Sequence, residues 1–228
     1  MALPSLQASA QGSINGAATQ TISITVPAGS NQLLVVKSVC PNSGDYISGA
    51  TVTHNGTSMG ANVVATTASN LTMAAWVLVA PAQGTFNVVI TPTASAYLDT
   101  IVEVWDGVDQ STPVDGTPDE YTSGGTTSPL ARTIAVSSTQ VLTDYIALRT
   151  TGNTLGPSGT RIGTQLTGGS FSTASASYTN GSASSSSWTY TATPVISFVG
   201  LVLNEASGGG GGGLSIPVVM NQYRQRRA

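Results

Sequence analysis

Apolar and polar residues alternate along much of this chain with the period of a strand that buries one face. Over Thr19–Val26, Ile22, Ile24 and Val26 are separated by Thr21, Ser23 and Thr25. Thr85–Ile90 puts Phe86, Val88 and Ile90 on one face. Arg132–Val136 does the same with Ile134 and Val136, and Val141–Leu148 with Leu142, Ile146 and Leu148. Leu33–Val36, Trp76–Val79 and Val199–Leu203 are continuous apolar runs, which predict strands covered on both faces. Turn residues punctuate these runs: Pro27-Ala28-Gly29, Asn55-Gly56, Pro81-Ala82-Gln83-Gly84 and Asn180-Gly181. Asn-Gly favours a two-residue hairpin turn, because both residues tolerate positive φ.

No segment carries an apolar stripe at helical spacing with caps. The nearest, Leu71–Ala80, runs from Asn70 into Pro81 and reads better as a strand. Many short strands in one chain predict an all-β antiparallel β-sandwich, jelly-roll-like, over residues 1–206. An immunoglobulin-like sandwich is the second choice, and its Cys-Trp-Cys signature is missing. Two stretches break the strand pattern. Asp106–Pro129 reads as a long loop holding Asp106, Asp109, Asp115, Asp119 and Glu120. Residues 207–213 read as a glycine linker with a reach of roughly 13 Å, followed by an apolar, basic peptide over 214–228.

Composition sharpens this picture. Of 228 residues only 17 are charged, beside 29 Ser, 32 Thr and 26 Gly. The net charge of −3 argues against nucleic-acid binding, since phosphate recognition wants a basic surface. Apolar runs of about ten residues are too short for a membrane span. A lone Cys40 forms no disulfide within the chain and reads as a small buried apolar residue. The start of the chain has neither a basic region nor an apolar core, so no secretory signal is expected. A surface-like composition on a chain without a secretion signal fits a protein made in a host cytoplasm and exposed on a virion. Charge is also segregated: residues 1–206 carry 4 basic and 10 acidic side chains, whereas the tail carries Arg224, Arg226 and Arg227 and no acid.

Candidate chemistry is sparse. Gly56-Thr57-Ser58-Met59-Gly60 matches the nucleophile elbow in form. The segment after it is strand-like, and the only histidine, His54, precedes the serine, so a β-hairpin is the better reading. His54 itself is expected in a turn or at the surface. The acidic loop could offer oxygens to Ca²⁺, though its spacing is not that of an EF-hand. Asp99 and Glu103, on an adjacent strand, form a carboxylate pair of the sort glycoside hydrolysis uses, and Trp76, Trp105 and Trp188 could stack on sugars. Core packing is the preferred reading of the tryptophans. Asn55, Asn70 and Asn180 head sequons that need a secretory route to matter. Ser182–Ser187 reads as a polar turn or exposed strand edge. Together these predict a non-enzymatic protein without cofactor or metal.

Four phrases look familiar in combination: Ile24-Thr-Val-Pro-Ala-Gly-Ser-Asn-Gln-Leu-Leu-Val-Val36, Val52-Thr-His-Asn-Gly56, Trp76-Val-Leu-Val-Ala-Pro-Ala-Gln-Gly-Thr-Phe-Asn-Val-Val89 and Asp106-Gly-Val-Asp-Gln-Ser-Thr-Pro113. They resemble a β-sandwich domain that recurs in tailed-phage virion proteins and bacterial surface proteins, over about residues 17–115. The resemblance implies a structural or adhesive module, either a capsid decoration (cement) protein or a fibre, and transfers no catalytic residue. A homo-oligomer, by this resemblance a trimer, is expected, with a major capsid or other virion protein as partner and a glycan as the alternative ligand. In the tail, Ile216, Pro217, Val218, Met220 and Tyr223 are expected to fill a partner's pockets or extend its sheet. Arg224, Arg226 and Arg227 would bond its carboxylates.

Overall fold

A computed structural model describes residues 2–206, apart from residues 43, 69, 126, 169–171, 182–184 and 192. Residues 207–228, and with them the glycine linker and the expected docking peptide, lie outside the described residues. Among the described residues every regular element is a strand and all pairing is antiparallel.

The first half of the body holds β1 (Ser5–Ala17), β2 (Gln20–Val26), β3 (Leu33–Cys40), β4 (Thr51–His54), β5 (Thr57–Ser58), β6 (Val64–Ala68), β7 (Leu71–Val79), β8 (Gly84–Thr91) and β9 (Ala96–Asp106). They form a five-stranded sheet in the order β1-β9-β3-β7-β6, covered by a four-stranded sheet, β2-β8-β4-β5. The second half holds β10 (Asp119–Gly124), β11 (Leu130–Thr133), β12 (Gln140–Leu148), β13 (Gly156–Pro157), β14 (Thr160–Gly168), β15 (Ser172–Asn180), β16 (Ser185–Thr189) and β17 (Val195–Asn204). Its five-stranded sheet runs β10-β17-β12-β15-β14 and its outer sheet β11-β16-β13.

The two halves are the same sandwich built twice. Strands β10, β17, β12, β15 and β14 occupy the places of β1, β9, β3, β7 and β6, and β11, β16 and β13 those of β2, β8 and β4. Register agrees as well: Leu33 pairs Trp105 beside Gln32, as Val141 pairs Leu203 beside Gln140. One hydrogen bond repeats. Ala80 N donates to Gln32 O at 2.9 Å, and Gly181 N to Gln140 O at 3.0 Å, with both donors at positive φ.

The two large sheets pack face to face, so the body has four layers and three cores. The first core lies between the sheets of the first half, around Ile24, Val36, Val52, Trp76 and Val102. The second is the seam between halves, around Leu33, Val35, Met73, Ile101, Trp105, Tyr145 and Val199. The third is inside the second half, around Leu142, Ile146, Trp188, Tyr190 and Phe198. This layering explains where alternation succeeds as a signal. β2, in an outer sheet, buries every second residue. β3, in a central sheet, buries all eight, as its apolar run predicts.

Other expectations need correction. β12 is not half-buried: all nine residues are covered, because Val141, Thr143, Tyr145 and Ala147 face the seam while the even positions face the third core. Strand pairing near Arg132 ends at Thr133, so Ile134 packs into the core from outside the ladder. Asn55-Gly56 does form a two-residue turn, with His54 paired to Thr57 and both turn residues at positive φ. Asn180-Gly181 does not, because it ends a strand of one sheet and the chain moves to another. Ser185–Thr189 is the middle strand of its sheet rather than an edge, and residues 182–184 lie outside the described residues. The segment Asp106–Pro129 contains β10, and Val108 and Val114 bridge to Glu205 and Leu203.

Candidate functional site

The seam between the halves holds the most concentrated chemistry. Lys37, the chain's single lysine, lies on β3 among Leu33, Val35 and Val39, on the face that meets the second half. It is fully buried, as is Glu103 on the adjacent strand β9. Lys37 pairs in register with Ile101 and Val35 with Glu103, so the two side chains are diagonal neighbours on one sheet face. Lys37 Nζ lies 2.6 Å from Glu103 Oε1, donates to Thr143 Oγ1 at 2.6 Å and to the backbone oxygen of Asp144 at 3.2 Å. Glu103 Oε2 accepts from the Thr143 hydroxyl at 2.8 Å and from Trp105 Nε1 at 2.9 Å. Thr143 belongs to β12, so the cluster pins one half to the other. A buried ion pair pays a heavy desolvation cost unless its donors and acceptors are satisfied; Nζ and Oε2 find hydrogen-bond partners here, while Oε1 meets Lys37 by charge contact alone, with no hydrogen bond.

The two carboxylates weighed as a catalytic pair do not converge. Asp99 and Glu103 share a face of β9 but are about 13 Å apart along the strand. Asp99 accepts from Ser13 at 2.5 Å and Ser172 at 2.7 Å, and its backbone oxygen accepts from the Tyr145 hydroxyl at 3.0 Å. Burial, with the charges of Asp99 and Glu103, raises the Tyr145 phenol well above its ordinary range. A third buried carboxylate, Asp144, faces the opposite side of β12. Its Oδ1 accepts from the Ser177 amide and hydroxyl, and its Oδ2 from the Ser186 hydroxyl. Burial raises the Asp144 carboxyl above the usual range, against the pull of those hydroxyls.

His54 corrects the surface expectation: it is buried in the first core, edge-on to Phe86 with ring centroids 5.9 Å apart. It sits on the inward face of β4 with Val52, and neither ring nitrogen has a hydrogen-bond partner. Burial lowers its pKa. Ser58 is exposed and pairs with Thr53, whose side chain alternates with that of His54, so Ser58 and His54 belong to opposite faces of the hairpin. All three tryptophans are fully buried, one in each core. Cys40 is buried too, and burial raises its thiol pKa.

The acidic segment is distributed rather than clustered. Asp109 accepts from the amides of Ser111 and Thr112, Asp115 from Gln140 Nε2 at 2.7 Å, and Asp119 from Arg132 in a two-pronged pair. That pair raises the Arg132 pKa. Among the described residues, no three or more His, Cys, Asp or Glu side chains are grouped so as to hold a metal ion.

One end of the body gathers both ends of the described chain and the connection between halves. Ser5 pairs with Asp106, and the carbonyls of Ala2 and Leu3 lie over Gly107. Ala206 N donates to Gly107 O at 2.7 Å. Val108 N donates to Asn31 O and Asp109 N to Asn204 O, tying the connection to both halves. Two shallow hollows open there, one lined by Asn31, Gln32, Ala80 and Pro81, the other by Asn31, Gln110, Ser111 and Ala206. The expected docking residues Ile216, Pro217, Val218, Met220, Tyr223, Arg224, Arg226 and Arg227 lie outside the described residues.

The fold and its interior define a class, an all-β protein of antiparallel sandwiches. Comparison with protein-family models, with characterised proteins and with solved structures finds no match for this chain.

Proposed function

We propose that this protein is a structural virion component, a decoration or cement protein on the outside of a phage head. It docks by the end at which residue 206 leaves the body. The observation that carries this reading is the gathering of both ends of the described residues, 2 and 206, and the connection between the halves at one pole. Such polarity suits a module held at one end and displayed at the other. The sequence resemblance over residues 17–115 adds support, because it takes in β2 to β9 of the first sandwich. The tail's apolar residues and three arginines supply the docking chemistry, and a trimer about the particle's local axes is the proposed assembly. The fibre or glycan-binding alternative gains less, since all three tryptophans are buried and none offers a sugar platform.

The test is a truncation after Ser207, compared with the full chain for incorporation into particles, with circular dichroism and light scattering on the free proteins. A truncated protein that keeps its β spectrum but is absent from particles agrees with the proposal. Equal incorporation of both overturns the anchoring role.

A further inference from the structure

The seam cluster is placed for bond formation as well as for charge pairing. We propose that Lys37 and Glu103 become joined by an intramolecular isopeptide bond, Lys37 Nζ to Glu103 Cδ, formed inside the folded protein with loss of one water.

Four observations carry this. First, the reacting groups are fully buried and lie 2.6 Å apart, on neighbouring strands of a fixed sheet. Holding two reactants in contact on a rigid frame replaces a bimolecular encounter with an effective concentration of about 10⁵ M or more. Second, both groups lie in a seam closed to solvent, where an amide once formed is shielded from the water that would hydrolyse it. Third, Thr143 bridges the two groups, accepting from Nζ at 2.6 Å and donating to Oε2 at 2.8 Å, which makes a proton path from nitrogen to oxygen. Fourth, Trp105 Nε1 donates to the same Oε2 at 2.9 Å, assisting its departure.

The step balances without any co-reactant. The ammonium passes one proton through the Thr143 hydroxyl to Oε2, leaving a neutral amine facing a carboxylic acid. The Nζ lone pair attacks Cδ and the C–N bond forms. A second proton follows the same path, the Cδ–Oε2 bond breaks, and Oε2 leaves as water, with Oε1 kept as the amide oxygen. The product ties β3 to β9 covalently.

Proteolysis and mass spectrometry of the full chain decide the matter. Trypsin has no site between Lys37 and Arg132 in this sequence. A linked Lys37 resists cleavage, so the denatured protein yields residues 1–132 as one piece, lighter by one water, with fragment ions assigning the loss to Lys37 and Glu103. Glu103→Gln should lose ammonia instead and converge on the same linked product, whereas Lys37→Arg should keep its full mass. Cleavage after Lys37 with both pieces at full mass overturns the proposal. So does a water loss that maps to Asp106-Gly107 or Asp115-Gly116, where it would report a succinimide. The wild-type measurement is decisive by itself, so a variant that fails to fold does not affect the outcome.

Discussion

Single buried side chains set how this protein answers to pH, and two of them pull in opposite directions. His54 is held neutral in the first core, and its pKa is lowered by burial. Its contribution is therefore present above the unfolded value near 6.5 and lost as pH falls below it, at no more than about 1.4 kcal/mol per pH unit. His54→Leu should flatten the fall in unfolding free energy between pH 7 and 5; denaturant titrations with parallel slopes for both proteins would contradict this. Asp144 has the reverse sign. Its folded pKa is raised, so its contribution is full below the unfolded value near 3.9 and fades as pH climbs through the folded one. Asp144→Asn should remove that decline, which thermal melts from pH 4 to 8 will show. Neither position was legible as buried from sequence. His54 sits beside Asn-Gly, a surface signal, and Asp144 and Thr143 interrupt an apolar run without revealing which cores they face. Lys37 left a clearer trace: one lysine, inside Val-Val-Lys-Ser-Val, with a Glu set in Ile-Val-Glu-Val-Trp on another strand. Nothing in those spacings said that the two strands are neighbours.

At the scale of elements, the alternation in β2 and β8 was readable because each has one wet face. The buried strands β3 and β17 were readable as apolar runs. β12 misled because burial on both faces was achieved with Thr, Asp and Tyr, each supplied with hydrogen-bond partners. The repeat of the sandwich was hidden for a related reason. Equivalent positions have diverged in chemistry, Lys37 to Tyr145, Glu103 to Leu201 and Trp105 to Leu203, while pairing and register stayed the same. Close backbone approach is another property that a sequence conceals. At Gly159, just before β14, an added Cβ would lie 2.5 Å from the backbone oxygen of Tyr178 and from Thr179 Oγ1. Gly159→Ala must therefore shift β14 against β15, at a cost of about 1–3 kcal/mol. Urea unfolding should report the loss, and an unchanged midpoint would show that the strand start yields freely.

For the whole molecule, the seam matters most. Each central sheet is apolar on both faces, so neither half closes its own surface. Residues 1–118 expressed alone would bare Leu33, Val35, Met73, Ile101 and Trp105. Exposed apolar area of that extent favours association, and sedimentation should find a dimer or larger species; a well-behaved monomer would contradict the seam's importance. The shared pole has a mechanical consequence. Because the chain enters and leaves the body beside Gly107, tension applied between its two ends draws β1 away from β9 starting at Ser5. The ladder then breaks one rung at a time, at low force, instead of shearing as a block. A load on residue 206 alone enters instead through β17, which β12 and β10 hold from both sides. Pulled at that end by itself the body is held through a strand paired on both sides, whereas a pull from both ends would peel it open from the edge strand β1.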